Sequence, residues 1–147
     1  MTGRVLAVDP GDKRIGVAIS DQTGTIARPL AVIMHTSRKQ DVKQIQQLAA
    51  ENEVKCIIVG KPFQESGEDS VQGRKAERLA EALRLEDSVS VLIWDESETT
   101  NQAQIIRREM GVSRAKRSGH LDSLAAAIIL QDYLDSIEKG PEDENPN

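Results

Sequence analysis

Apolar and polar residues are arranged in two different ways along this chain. Short continuous apolar runs indicate buried strands, and apolar residues spaced three and four apart indicate helices. The first part of the chain predicts three strands, at residues 5–8, 14–20 and 26–34. Since only short turns separate them, we expect an antiparallel meander.

Proline and glycine refine this meander. Pro10 and Gly11 follow the first strand and suit the second and third positions of a type II turn. Pro29 lies near the start of the third strand, and because proline cannot donate to a strand ladder, it favours an edge or irregular position there.

The rest of the chain alternates helices with strands. Ser37 and Gln40 have the spacing of a capping box, which predicts a helix from there to about residue 52. The remaining pattern predicts strands at 56–59 and 90–94 and helices at 71–83, 100–110 and 121–137. This order predicts the α/β class, a mixed five-stranded sheet with helices on both faces.

The length of 147 residues suits one domain, which we expect to span residues 1–137. Residues 138–147 hold four acidic residues and one basic residue, too polar to pack, so we predict a disordered acidic tail. The tail contributes −3 of the net charge of −5 and leaves −2 for the domain. Net charge therefore does not exclude a nucleic-acid partner.

The remaining composition bears on location. Cys56 is the single cysteine and cannot form an intramolecular disulfide, and no signal-peptide pattern precedes the first strand. No apolar run approaches the roughly 20 residues that cross a bilayer. We therefore expect a soluble, cytoplasmic protein without a membrane partner, with Cys56 as a small core residue.

A stripe of basic residues favours a nucleic-acid partner. A single basic residue would be interpreted as a solvated side chain at the end of a helix. Five basic residues within eleven positions instead indicate a surface that contacts phosphates. The stripe consists of Arg107, Arg108, Arg114, Lys116 and Arg117.

Acidic residues stand at two predicted strand ends and on the last helix. Asp9 follows the first strand, Asp95 and Glu96 follow the last, and Asp122 shares a helix face with apolar residues. If the first and last strands are parallel neighbours, their carboxylates reach the same edge of the sheet. Asp9 and Asp122 taken singly would be turn and helix caps, but three converging acids favour a site.

Carboxylates with no obvious cationic partner suit Mg²⁺ or Mn²⁺, which prefer oxygen ligands. Two such ions catalyse phosphodiester hydrolysis, so the acids predict a metal-dependent nuclease. His35 stands at the end of the predicted third strand, where a structural role is expected. His120, two residues before Asp122, is a weaker candidate for contacting water or phosphate.

Four segments resemble the YqgF/RuvX family. Residues 6–21 read LAVDPGDKRIGVAISD and match the family's opening motif, which is long and specific. Three shorter matches follow in the right order, VGKP at 59–62, DESETT at 95–100 and DSLAAAIIL at 122–130. The resemblance covers nearly the whole chain before the tail.

The resemblance implies an RNase H-like fold, related to the RuvC resolvases, and a metal-dependent nuclease that processes the 5′ end of precursor 16S ribosomal RNA. It implies Asp9 as the central metal ligand, with Glu96 and Asp122 as the others and Asp95 as the alternative to Glu96. RuvC-like relatives have an acid after the fourth strand, where this chain has Gly60.

The match also nominates Lys13 and Arg14, beside Asp9, for substrate contact. Two positions depart from the family pattern. Ser97 stands where the family often has arginine, and Lys61 stands where an apolar residue is expected.

Several alternatives remain open. The substrate is precursor rRNA or branched DNA, and a Holliday junction resolvase is one alternative function. Another is a weakly active or inactive nucleic-acid-binding assembly or transcription factor. Paired cuts in a junction favour a homodimer, whereas trimming an RNA end needs only a monomer.

Overall fold

The computed structural model describes residues 3–61, 71–85, 89–95 and 119–144, with the side chains of the last segment described over 122–137. Five strands and three helices follow one another in this part of the chain. They are β1 (Arg4–Pro10), β2 (Arg14–Ser20), β3 (Ala27–Met34), α1 (Arg38–Glu51), β4 (Val54–Lys61), α2 (Val71–Leu85), β5 (Ser90–Asp95) and α3 (Gly119–Glu144).

The strands form one mixed sheet in the order β3-β2-β1-β4-β5. β2 is antiparallel to β1 and β3, and β4 is parallel to β1 and β5. The predicted α/β architecture is confirmed. The first and last strands are not neighbours, because β4 lies between them. Their carboxyl ends still share one edge, since both are parallel to β4.

A separate apolar layer covers each face of the sheet. On one face, α1 and α2 pack against side chains such as Leu6, Val8 and Val59. On the other face, α3 packs against the alternate residues, including Ala7 and Ile58. Each strand of the core therefore buries both sets of side chains, as the continuous apolar runs predict.

The turn between β1 and β2 differs from the predicted type II turn. That turn requires a positive φ at its third position, and among the described residues positive φ occurs at Gly3, Gly24 and Glu53 but not at Gly11. The Gly11 amide instead donates to the Arg14 carbonyl at 3.0 Å. Strand pairing thus continues past Pro10, and the turn lies two residues later than predicted.

Two local predictions are confirmed. β3 is an edge strand, and its pairing with β2 shifts register beside Pro29, as a residue without an amide proton predicts. Ser37 caps α1 by accepting a hydrogen bond from the Gln40 amide at 3.2 Å. The third strand ends at Met34 as predicted, and His35 directly follows it.

α3 is longer than predicted. It begins at Gly119 and its backbone remains helical to Glu144, past the predicted end at residue 137. The disordered tail at 138–147 stays a prediction, and the predicted helix at 100–110 lies outside the described residues. None of the described helices is both long and apolar enough to cross a bilayer.

Candidate active site

Asp9 lies near the carboxyl end of β1, in the middle of the sheet. Asp9 is buried, with only 6% of its surface exposed. Its register partner on β2 is Gly16. Side chains alternate along a strand, so Asp9 falls on the same face as Ala7, the face that α3 covers. The sequence-predicted central acid is therefore buried beneath the start of the last helix.

Gly16 lets the first turn of α3 approach Asp9. A Cβ at this position would lie 2.0 Å from the carbonyl oxygen of Asp122 and 3.1 Å from the amide nitrogen of Ser123. No side chain can occupy that space, so the helix backbone rests directly on the strand backbone. Asp122 consequently lies over β2 at the residue that pairs with Asp9 of β1.

Asp122 forms an ion pair with Arg14. Its Oδ2 lies 2.8 Å from the Arg14 Nε, and the Asp122 side chain is almost fully buried while that of Arg14 is 27% exposed. The expectation of acids without a cationic partner is thus wrong for Asp122. Burying a lone carboxylate is costly, and a guanidinium from the neighbouring strand offsets that cost.

Asp95 and Lys61 lie on the other face of the sheet. The two residues are register partners at the ends of β5 and β4. Lys61 forms an ion pair with Glu77 of α2, so this level of the sheet faces α2. By strand alternation Asp95 faces away from Asp9.

β4, which neighbours β1, has a glycine at the level of Asp9 and presents no side chain there. Gly60 pairs with Trp94 of β5, and a Cβ at Gly60 would lie 3.1 Å from the Ile129 Cδ1. Trp94 packs edge-on against Tyr133 of α3, with ring centroids 5.2 Å apart. An apolar wall therefore closes the α3 face beside the two carboxylates.

Some predicted site residues lie outside the described part of the chain. Lys13 lies within it and is exposed in the β1–β2 turn. No side chain is described for the others, Glu96, Arg114, Lys116, Arg117 and His120.

Sequence reasoning missed Gly16 and Asp41. Glycine in a strand interior often marks a close backbone approach, and that pattern would have found Gly16. Asp41 lies in the first turn of α1, is 3% exposed, and its Oδ2 is 2.5 Å from His35 Nδ1. This contact fixes the orientation of the His35 ring beside the start of α1.

Cys56 is confirmed as a small core residue. It is buried beneath α3, and burial raises the pKa of its thiol. Its thiolate is therefore disfavoured at neutral pH, which makes it a poor nucleophile or metal ligand.

The two carboxylates fit a hard divalent cation by the chemistry of their donor atoms. Asp9 and Asp122 offer only oxygen ligands, which suit Mg²⁺ or Mn²⁺. Within residues 3–61, 71–85, 89–95 and 119–144, no group of three His, Cys, Asp or Glu side chains is placed to hold a metal. A complete set would require a ligand from elsewhere, the position predicted for Glu96.

Comparison with known proteins agrees with this geometry. The model of the RuvX family, described as Holliday junction resolvase, matches residues 3–136. A putative pre-16S rRNA nuclease of Thermoanaerobacter pseudethanolicus is 46% identical over 90% of this chain and 96% of its own length. A second, of Syntrophus aciditrophicus, is 40% identical over 95% of both chains.

Solved structures share the fold. RuvC of T. thermophilus in complex with a Holliday junction substrate superposes with a TM-score of 0.60 at 16% identity, over 94% of this chain and 97% of that one. The fowlpox virus Holliday junction resolvase gives 0.51 at 15% identity, over 90% and 99%. These likenesses confirm the predicted RNase H-like fold. With the family match and the identities to curated relatives, they show that this chain belongs to the RuvX family.

Proposed function

We propose that this protein is a divalent-metal-dependent nuclease that hydrolyses phosphodiester bonds during 5′-end processing of precursor 16S rRNA. The observation that carries the proposal is the placement of two buried aspartates on one face of the sheet, Asp9 on β1 and Asp122 over its register partner Gly16 on β2. The RuvX relatives named as putative pre-16S rRNA nucleases support the choice of reaction and substrate.

Asp9, Asp122 and Glu96 are the proposed metal ligands. Asp95 is the weaker alternative to Glu96, because strand alternation directs it to the face of α2. When bound, Mg²⁺ or Mn²⁺ supplies a Lewis acid that lowers the pKa of a water and stabilises charge on the phosphodiester. The strand β1 and the start of α3 hold Asp9 and Asp122 in place for such an ion.

Arg14 has two connected roles in this proposal. In the structure its guanidinium neutralises the buried Asp122 carboxylate. Its side chain is 27% exposed, so solvent and a substrate phosphate can reach it, and the fork of an arginine binds phosphate well. Lys13 in the same hairpin and the residues Arg114, Lys116 and Arg117 are the further proposed contacts with the nucleic-acid backbone.

A Holliday junction resolvase is the second candidate function. The description of the matched family favours it. The two candidates differ in assembly, because paired cuts in a four-way junction favour a symmetric dimer whereas trimming an RNA end needs one active site. A monomer acting on precursor rRNA is the arrangement proposed here.

Cleavage of matched substrates by the purified protein tests the proposal. With Mn²⁺ present, we expect cleavage of a precursor 16S rRNA fragment and little cleavage of a four-way DNA junction. Asp9→Asn preserves the side-chain shape but removes the central anionic ligand. We expect it to cleave at least about 100-fold more slowly, a loss of roughly 2.7 kcal/mol of transition-state stabilisation.

Asp135→Asn is the matched control for the loss of a carboxylate. Asp135 is exposed on α3, where it accepts a hydrogen bond from Gln131 at 3.0 Å. Its variant should cleave like the parent, and all three proteins should share one circular dichroism spectrum. If Asp9→Asn cleaved as fast as the parent, the carboxylate mechanism would be wrong, and preferential cutting of the junction would favour the resolvase.

A further inference from the structure

A cleft of about 320 Å³ opens on the face of the sheet opposite Asp9. The β1–β2 turn, the end of β3 and the helices α1 and α2 surround it. Its polar lining consists of His35, Ser37, Arg38, Asp41 and Lys75. None of these residues takes part in the proposed active site, so the cleft is a separate feature.

A buried aspartate orients the histidine of this cleft. Asp41 Oδ2 lies 2.5 Å from His35 Nδ1, and Asp41 Oδ1 accepts a hydrogen bond from the Thr36 amide at 3.3 Å. A carboxylate only accepts hydrogen bonds, so Nδ1 carries the proton and Nε2 is the ring nitrogen left for a ligand. The His35 side chain is 40% exposed, which keeps this nitrogen accessible.

Two cationic side chains line the cleft from different helices. Arg38 is exposed in the first turn of α1, and no ion pair links it to a carboxylate in the part of the chain that the structure describes. Lys75 of α2 lies 3.3 Å from Asp12 Oδ1 of the hairpin. The start of α1 adds the positive end of a helix dipole.

This combination of groups matches a phosphate better than a carboxylate. Donors on Arg38 and Lys75 come from two separate helices and so approach from different directions, while His35 Nε2 is an acceptor that a ribose hydroxyl beside the phosphate can satisfy. A phosphate presents its oxygens tetrahedrally, whereas a carboxylate is planar and is satisfied by one arginine. The volume is within the range of small-ligand sites and leaves room for a sugar beside the phosphate.

The cleft also adjoins the proposed active site along the chain. Pro10 and Gly11 line it, and Asp9 directly precedes them on the opposite face of β1. A nucleic-acid strand that passes over the β1–β2 turn can therefore contact both places. Exposed Lys13 lies in that same turn.

We propose that this cleft binds a backbone phosphate of the substrate RNA, one that flanks the scissile phosphodiester. The proposal rests on the proposed function, since it assigns part of the same substrate. His35, Arg38 and Lys75 are the binding residues. Asp41 is a positioning residue that acts through His35.

Binding of RNA to a protein that does not cleave it tests this directly. In the Asp9→Asn background, fluorescence anisotropy with a labelled precursor 16S fragment gives the affinity at several salt concentrations. Arg38→Ala should weaken binding by about tenfold. It should also lower the slope of log affinity against log salt by roughly 0.7 for single-stranded RNA.

Lys39→Ala is the matched control. Lys39 is also exposed in the first turn of α1 but does not line the cleft, so its loss removes the same charge from the same turn. We expect it to change the slope by much less than Arg38→Ala. Equal effects of the two variants, or no effect of either, would overturn the proposal.

Two further measurements separate the possible sources of the phosphate. The chain has two histidines, so the ring signals of His35 are assignable by NMR, and RNA should shift them. If inorganic phosphate or a nucleoside monophosphate shifts them while RNA does not, the cleft serves a free ligand and the proposal is wrong. A parent that binds RNA with this Arg38 dependence but never cleaves it would refute the nuclease function alone.

Discussion

Two buried aspartates lie in the first turns of helices on opposite faces of the sheet. Asp122 lies in the first turn of α3 and Asp41 in the first turn of α1, and each residue is 3% exposed. Each is paired with a nitrogenous side chain near a strand end, Asp122 with Arg14 and Asp41 with His35. From the sequence pattern alone, both would be interpreted as acidic residues that cap the start of a helix.

Their neighbours distinguish them. Asp41 is also held by a hydrogen bond from the backbone of Thr36, so local structure satisfies both of its oxygens. Asp122 lies beside a second buried carboxylate, Asp9, because its helix rests on Gly16. A carboxylate at a helix start is thus a candidate metal ligand when a second buried carboxylate lies on the same face of the sheet.

The largest expected effect comes from closing the gap that brings Asp122 to Asp9. Gly16→Ala places a Cβ 2.0 Å from a backbone oxygen, so the start of α3 must move. We expect a loss of about 1–3 kcal/mol of unfolding free energy in urea, together with loss of RNA cleavage.

Gly60→Ala is the control for this change. Its Cβ would meet the end of a flexible side chain, the Ile129 Cδ1, at 3.1 Å. A smaller cost, less than about 1.5 kcal/mol, is expected because that side chain can shift. If Gly16→Ala were as stable and active as Gly60→Ala, the close backbone approach would not be what positions Asp122.

Isosteric replacement of the two aspartates should separate function from structure. Asp122→Asn should reduce kcat by about 100-fold or more and abolish the rise in melting temperature that Mn²⁺ gives the parent. Asp41→Asn should retain kcat, raise KM and reduce stability by about 1–3 kcal/mol, because a buried hydrogen-bonded charge is lost. A normal kcat in Asp122→Asn with a lowered melting temperature would assign Asp122 to helix capping.

A similar difference in activity is expected between variants of the two adjacent acids at the end of β5. Glu96→Gln should impair cleavage under saturating Mn²⁺ more than Asp95→Asn does, since alternation directs Asp95 towards α2. We expect roughly tenfold between the two variants, equivalent to about 1.4 kcal/mol. The opposite order would make Asp95 the second ligand.

The smallest effect is expected at an exposed aspartate. The hydroxyl of Thr23, and then the amides of Ile26 and Thr25, donate to Asp21 and lower its pKa to about 2. A depressed pKa means that the carboxylate stabilises the folded state above the unfolded pKa of about 3.8, and that this contribution disappears as pH falls towards 2.

The melting temperatures of the parent and Asp21→Asn test this assignment. The parent should melt slightly higher at pH 5 to 7, and the difference should shrink between pH 4 and 2. If the difference in melting temperature stayed constant through that range, the ionisation of Asp21 would not be its cause.

The elements could be predicted because apolar periodicity reports burial directly. β1, β4 and α2 follow from their apolar residues, and Ser37 fixes the start of α1. The insertion of β4 between β1 and β5 could not be predicted, because periodicity contains no information about which parallel strands are adjacent.

The candidate site was predictable in its acids and less so in its contacts. Asp9 and Asp122 stand out as charges at buried positions. Arg14 at a hairpin has the pattern of a solvated residue, and its pairing with Asp122 joins positions more than 100 residues apart. The type II turn was wrong for a related reason, since cross-strand pairing of Pro10 extends the ladder and moves the turn beyond Gly11.

The single buried thiol beneath α3 provides a built-in reporter of motion. Cys56 packs on the same face as Tyr133 and Leu134, so a thiol reagent reaches it only when this layer opens. The rate of labelling at increasing reagent concentration therefore measures how often α3 separates from the sheet. Since α3 also positions Asp122, this rate gives the lifetime of the assembled site without any introduced probe.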